Sequence, residues 1–287
     1  MSSFQGIWVP VVTPFQDGAI DFIGLHRLVS HLLEQHVAGI MVCTTTGEAA
    51  SLSRAEQLAV LDAVLQWVPA HRVVMGLAGN NQGELLQFQG EVLKRPVAGL
   101  LVPAPSYIRP SQAGLEAFFR TVADASSAPI ILYDIPYRTG VTFEQATLLN
   151  IVAHERIVAI KDCGGSLDTT LALLASGAVD VLCGEDIQIF NALCLGASGA
   201  IAASAHVRTA EFVALWQQVR DNQLAEARTT FLELVPLINT MFMEPNPAPV
   251  KAALALEGLI SDELRAPMQR ASEAVVTRLR ELQGVRA

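Results

Sequence analysis

Short runs of β-branched and apolar residues alternate with amphipathic stretches along most of the chain. The apolar runs fall at 7–12, 39–43, 73–77, 99–102, 130–133, 157–161, 179–183 and 199–202. Continuous apolar runs of this length, bounded by turn residues, predict strands buried on both faces. Helical periodicity fills the intervals at 23–35, 54–68, 83–94, 111–125, 143–152, 167–175, 186–195 and 209–220. Ser53 stands three residues before Glu56, the spacing of a capping box, and marks a helix start. Strict strand–helix alternation predicts a parallel sheet with right-handed crossovers. Eight such units over roughly 220 residues fit an α/β fold of the (β/α)8 TIM-barrel type. An open doubly wound sheet fits less well, because no G-x-G-x-x-G follows the first strand.

From residue 224 the pattern becomes purely helical, at 224–243, 250–256 and 266–282. Pro245, Pro247 and Pro249 separate the first two of these, since proline cannot continue a helix interior. The expected organisation is a barrel over 1–223 and a C-terminal helical extension over 224–287. The extension is too short to need a core of its own, so it is expected to pack on the barrel.

Composition narrows the class of protein. Of 287 residues, 51% are hydrophobic and 16% charged, enough apolar material for one large core. No stretch approaches the ~18 uninterrupted apolar residues of a membrane span. Residues 1–5 lack the basic region and apolar core of a signal peptide, so a soluble cytoplasmic protein with no membrane partner is expected. The formal charge of −9 argues against a nucleic-acid partner, which calls for a basic face. Cys43, Cys163, Cys183 and Cys194 form no CxxC pair and have no His at zinc-site spacing. They are expected to be buried reduced thiols, and no metal is expected.

Candidate chemistry centres on Lys161, which ends the apolar run 157–161. Desolvation at the end of a buried strand favours the neutral amine that a Schiff-base nucleophile needs. The plainer reading is a lysine that snorkels to the rim of the sheet. Active sites of these barrels lie at the C-terminal ends of the strands, which gathers distant segments into one mouth. Thr44-Thr45-Thr46-Gly47-Glu48, Tyr107 with Arg109, Tyr133, Arg138 and Lys161 all fall there. Each has a plainer reading as well: an ordinary strand-to-helix turn, a barrel-filling aromatic, a surface charge. Together they make a kit for a keto acid. The amine condenses with the ketone, the Thr-Gly turn donates to the carboxylate, the phenol moves protons, and the guanidinium grips a second carboxylate.

Thr45-Thr46-Gly47-Glu48, Tyr107 within the segment leading to Arg109-Pro110-Ser111-Gln112, Tyr133-Asp134-Ile135-Pro136, Arg138-Thr139-Gly140, Ile160-Lys161-Asp162 and Glu244-Pro245-Asn246-Pro247 occur in order. In these motifs the chain resembles the dihydrodipicolinate synthase and N-acetylneuraminate lyase family of pyruvate aldolases. The resemblance implies a pyruvate imine on Lys161 and no cofactor beyond that covalent imine. It implies a proton shuttle at Tyr133, linked through the Thr45 hydroxyl to Tyr107, and a pyruvate carboxylate held by Thr46. Gly184 and Ile201 would line the pyruvate pocket. Arg138 would bind the carboxylate of the second substrate, a small aldehyde. Tyr107 would reach into a neighbouring subunit, which implies a homodimer or homotetramer.

Some positions depart from the family pattern. Thr44 stands where glycine is usual, Asp134 where asparagine is usual, and Tyr137 where the synthases carry a small residue. Ser106 replaces an aromatic residue that packs at the dimer interface and walls a lysine-binding cleft in lysine-sensitive synthases. Asn80 and Glu84 match that cleft's polar pair, and Arg54 falls where some lysine-sensitive members carry histidine. The leading expectation is condensation of pyruvate with L-aspartate 4-semialdehyde to 4-hydroxy-tetrahydrodipicolinate, on the route to diaminopimelate and lysine. The second is a pyruvate-dependent aldolase or lyase acting on a sugar acid or hydroxy-oxoacid. A third, from another class, is a ligand-binding or structural paralogue without turnover.

Overall fold

The computed structural model describes residues 4–284. Residues 1–3 and 285–287, the outer ends of the two expected segments and most of the stretch tested for a leader, lie outside the described residues. Eight parallel strands close into a barrel: β1 (Gly6–Pro10), β4 (Gly39–Val42), β5 (Val73–Gly76), β6 (Gly99–Pro103), β7 (Ile130–Asp134), β8 (Ile157–Asp162), β9 (Asp180–Cys183) and β10 (Gly199–Ile201). Each pairs with its neighbours in sequence order, and β10 returns to β1.

Side-chain alternation divides the strands between two apolar clusters. Inward residues Trp8, Met41, Val74, Leu101, Ile131, Ala159, Leu182 and Ile201 fill the barrel. Outward residues such as Ile7, Ile40, Val42, Leu100, Leu132 and Ile160 pack under the helices. A strand buried on both faces has no polar side to show, which is why the strands read as unbroken apolar runs. Along β8 the inward set is Ala159, Lys161 and, just beyond the strand, Cys163. The period of two therefore delivers Lys161 into the barrel mouth.

The helices follow the predicted positions within two residues for most of the barrel, and the helix Thr209–Arg220 matches its predicted bounds. The helix Arg54–Trp67 begins in the expected capping box, with Ser53 and Glu56 exchanging both bonds. Three departures have clear causes. A small hairpin of β2 (Phe15–Gln16) and β3 (Ala19–Ile20) turns at Asp17-Gly18, both at positive φ, a hairpin signal the periodicity reading passed over. The predicted helix at 186–195 is a short 3₁₀ turn, Asp186–Gln188, followed by Ile189–Cys194. The Asp186 carboxylate turns inward there to accept from the Ser204 N–H at 2.6 Å. The predicted helix at 266–282 begins only at Glu273, capped by Ser272. Pro267 disfavours helical backbone at Ala266.

After the barrel the chain runs through helices Leu224–Met241, Ala248–Leu256 and Glu273–Gln283. Three residues of this segment reach the mouth of the barrel. Asn246 donates to Thr46 Oγ1 at 2.9 Å, Lys251 Nζ lies 2.5 Å from Glu48 Oε1, and Arg265 Nη1 donates to the Ser51 carbonyl at 3.0 Å. Among the described residues no helix is long and apolar enough to cross a membrane. Cys43, Cys163 and Cys183 are buried, but Cys194 is exposed at the end of its helix, contrary to expectation. An amphipathic helix shows one face to solvent, and Cys194 falls on that face.

Candidate active site

Tyr133 and Lys161 are paired directly across β7 and β8. Both point inward, and Lys161 Nζ lies 4.4 Å from the centroid of the Tyr133 ring. Lys161 is buried by the walls of the mouth, 6% exposed. Gly184 makes this placement possible: a Cβ there would stand 2.3 Å from Cys163 Sγ and 2.9 Å from Lys161 Cγ. The next residue but one, Asp186, is buried on the same side, and the Lys161 charge offsets part of the rise that burial imposes on its carboxyl.

A cavity of about 330 Å³ opens above these residues. Thr45, Thr46, Tyr133, Tyr137, Arg138, Lys161, Gly184, Asp186 and Ile201 line it, with 242–246 closing one side. Seven of the eight residues singled out from the sequence are thus brought together: Thr45, Thr46, Tyr133, Arg138, Lys161, Gly184 and Ile201. The eighth, Tyr107, is not. It is 88% exposed on a loop where Tyr107 and Arg109 both adopt positive φ, 70° and 50°. A second cavity of about 370 Å³ shares Thr45, Tyr133, Arg138 and Asn246 with the first and extends toward Asn80 and Ser106.

The turn after β4 forms one side of the cavity. Cys43 and Glu48 flank it in left-handed conformations, φ 52° and 54°. Non-glycine residues hold such angles only where the surroundings impose them. Among the described residues no hydrogen-bond acceptor is paired with the N–H groups of Thr45, Thr46 or Gly47. A concave run of open amides suits a carboxylate. Thr13 fixes the turn from below by donating to the Gly47 carbonyl at 2.7 Å.

Burial pushes the Tyr133 phenol well above its ordinary pKa, and nearby Cys163 adds to the rise, while Thr45 and Arg138 oppose it. The phenol therefore keeps its proton at neutral pH. Arg138 sits in a single helical turn, Pro136–Thr139, that caps β7 and aims its exposed guanidinium at the lip of the cavity. Beside it the Tyr137 hydroxyl donates to Glu185 Oε1 at 2.9 Å. Among the described residues no cluster of three His, Cys, Asp or Glu side chains is arranged to hold a metal.

Residues 3–283 match the model of the dihydrodipicolinate synthetase family. The chain belongs to that family. It is 38% identical over 274 residues to a 4-hydroxy-tetrahydrodipicolinate synthase of Pelobacter propionicus, covering 94% of both chains. It is 33% identical to a second synthase of Clostridium acetobutylicum, covering 96% of this chain and 98% of that one. Among solved structures, the dihydrodipicolinate synthase of Thermotoga maritima superposes with a TM-score of 0.91 at 31% identity, covering 98% of each chain. That of Aquifex aeolicus superposes at 0.94, also with 31% identity, covering 98% of this chain and 97% of that one.

Several residues in or beside the cavity were given no role from the sequence. Asp186 was legible only as the start of a helix. Asn246 belongs to a motif that had been quoted without a role. Glu48 was quoted in the turn motif without a role of its own, and Lys251, buried behind the cavity, gave no local signal; the meaning of both lies in their contact.

Proposed function

We propose that this chain condenses pyruvate with L-aspartate 4-semialdehyde through an imine on Lys161, releasing 4-hydroxy-tetrahydrodipicolinate. The observation that carries this reading is the placement of a buried amine, a protonated phenol, open turn amides and a guanidinium around one cavity of about 330 Å³. Lys161 Nζ adds to the pyruvate ketone and water leaves. Loss of a methyl proton from the imine gives an enamine, whose carbon attacks the aldehyde. Tyr133 supplies the proton that turns the aldehyde oxygen into the hydroxyl of the product. The product is a ring closed through nitrogen, so the amine of the second substrate displaces Lys161 from the imine carbon. The lysine amine is then regenerated, and no external cofactor is consumed.

Thr45 and Thr46 hold the pyruvate carboxylate in this reading, with Gly184 and Ile201 shaping the pocket below it. Arg138 grips the carboxylate of the aldehyde, a charge-assisted bond that a planar guanidinium can make with two parallel N–H groups. The other reading, an aldolase for a sugar acid or hydroxy-oxoacid, is less well supported, because the curated relatives carry the synthase name over nearly the whole chain. An assembly of at least two subunits is part of the same proposal. Tyr107, exposed on a strained loop, would enter the adjoining cavity of a second copy and complete the hydroxyl relay with Thr45 and Tyr133.

Pyruvate with borohydride tests the reading. Intact-mass analysis should find one reduced pyruvate adduct per chain, mapped to Lys161 and lost in Lys161→Ala. An unlabelled protein, or a label on Lys94 or Lys251, overturns it.

A further inference from the structure

Beneath the Thr45-Thr46-Gly47 turn lies an ion pair with almost no solvent: the side chains of Lys251 and Glu48 are 0% and 2% exposed, and Nζ approaches Oε1 at 2.5 Å. The other Glu48 oxygen accepts from the Arg265 N–H at 3.3 Å. Lys251 Nζ donates to the Glu263 carbonyl at 2.8 Å and lies 4.2 Å from the centroid of the Phe15 ring. On the other side Arg265 packs on Phe15 and pairs with Glu56. A buried ion pair is poor evidence for stability, since desolvation offsets much of the attraction, and two apolar side chains of the same volume often serve better. The pair's position suggests a different purpose. Glu48 is the last residue of the turn and holds a left-handed φ of 54°, while its N–H closes back on the Thr45 carbonyl at 3.1 Å. In that conformation its side chain points to Lys251, so the ion pair and the shape of the turn occur together.

We propose that Lys251 and Glu48 are positioning residues for the carboxylate-binding turn. By holding Glu48 down they set where Thr45 and Thr46 present their N–H groups. The C-terminal extension thereby tunes pyruvate binding from outside the cavity, with Asn246 steadying the Thr46 hydroxyl from the same segment. This deepens the proposed function and rests on the reading that the turn holds the pyruvate carboxylate.

The test uses the full chain with two variants. Glu48→Gln/Lys251→Met removes both charges together at similar volume. Glu48→Asp keeps the charges but withdraws the carboxylate by one methylene, so one soluble variant is secured if the other fails to fold. Three quantities are read: the melting temperature, the pyruvate concentration giving half-maximal borohydride trapping on Lys161, and amide exchange of the peptide spanning 43–49 without ligand. A misplaced binding turn should raise the half-trapping concentration by at least about tenfold while trapping at saturation stays complete. Exchange at 43–49 should quicken in a variant whose melting temperature stays near that of the parent. Unchanged half-trapping with unchanged exchange overturns the proposal, as does a lowered melting temperature with unchanged half-trapping, which would leave only a stabilising role. If the parent protein traps no pyruvate, the imine reading fails by itself, and the exchange data still decide whether the pair sets the turn.

Discussion

Lys161 and Tyr133 face each other across neighbouring strands, with the amine 4.4 Å from the centre of the phenol ring. The register of β7 on β8 therefore fixes the amine and the phenol relative to each other, the proposed nucleophile and proton donor, without any loop between them. Rigid strands hold such a constellation more closely than loops do. Removing only the phenol oxygen leaves the packing intact. Tyr133→Phe should keep its melting temperature within a few degrees while kcat falls by about 10²–10⁴-fold, the usual weight of general acid–base catalysis. Turnover within about threefold of the parent would remove Tyr133 from the mechanism.

Arg138 is exposed at the lip, and among the described residues no acid pairs with it, which leaves its charge facing the cavity. Arg138→Ala should lose roughly 1.5–3 kcal/mol of aldehyde recognition, about 10–150-fold in kcat/KM. Borohydride trapping of pyruvate should stay at parental concentrations. A variant that uses L-aspartate 4-semialdehyde as well as the parent does would point to another residue for that carboxylate.

Asp134 and Asp162 are also cross-strand partners, and both carboxyls face away from the barrel interior. Asp162 takes the available donors, the Gly164 N–H at 2.9 Å and the Thr170 hydroxyl at 2.5 Å. Among the described residues nothing bonds Asp134 Oδ1, which is buried. Burial, and then the neighbouring Asp162 charge, push the Asp134 carboxyl up from 3.8 to about 7. A raised acid binds its proton more tightly when folded, so it withdraws stability as pH rises from about 4 to about 7. Asp134→Asn should therefore melt increasingly higher than the parent across that span, with the gain complete above it. Thermal melts at pH 5 and pH 8 check this, and a gain that is the same at both contradicts the raised Asp134 carboxyl.

His206 shows the opposite dependence. It is fully buried, accepts from the Val12 N–H at 3.1 Å through Nε2, and meets the Ala203 carbonyl at 2.8 Å through Nδ1. Those bonds suit the neutral ring, and burial lowers its pKa from 6.5 to about 4. The unfolded chain takes up a proton first, so stability is lost as pH falls from about 6.5 to about 4. The loss should amount to about 2–4 kcal/mol. Denaturant melts of the parent and His206→Gln across this range should show a shallower acid slope in the variant; equal slopes would assign acid sensitivity elsewhere.

Ser106 donates twice to Asn80 Oδ1, through its N–H at 3.0 Å and its hydroxyl at 3.2 Å. Arg54 packs on Phe88, 4.2 Å from its ring centre, and bonds the Ala78 carbonyl. With Asn80 engaged, no aromatic wall and a resident guanidinium nearby, a cationic amino acid gains little there. Rates titrated with L-lysine at near-saturating pyruvate should show weak inhibition or none. Half-inhibition below about 0.5 mM, or ~4.5 kcal/mol of binding, would contradict this.

The strand and helix alternation, the barrel and the place of Lys161 were all legible in the chain, because apolar periodicity, caps and strand ends are local signals. So was most of the site, since the barrel rule sends every strand's C-terminal end to one mouth. The late start of the helix at Glu273 was missed although Pro267 announced it, and the Asp17-Gly18 hairpin was passed over for being too short to show a period. What only the tertiary structure decided depends on pairs that are remote in sequence. Thr46 and Asn246 are 200 residues apart, and neither carries a mark of the other. The raised Asp134 carboxyl follows from burial and from the neighbouring Asp162 charge, and the Glu48 ion pair from a lysine in the helix Ala248–Leu256. Propensity is read along the chain, whereas desolvation and charge pairing depend on what else arrives at the same point in space.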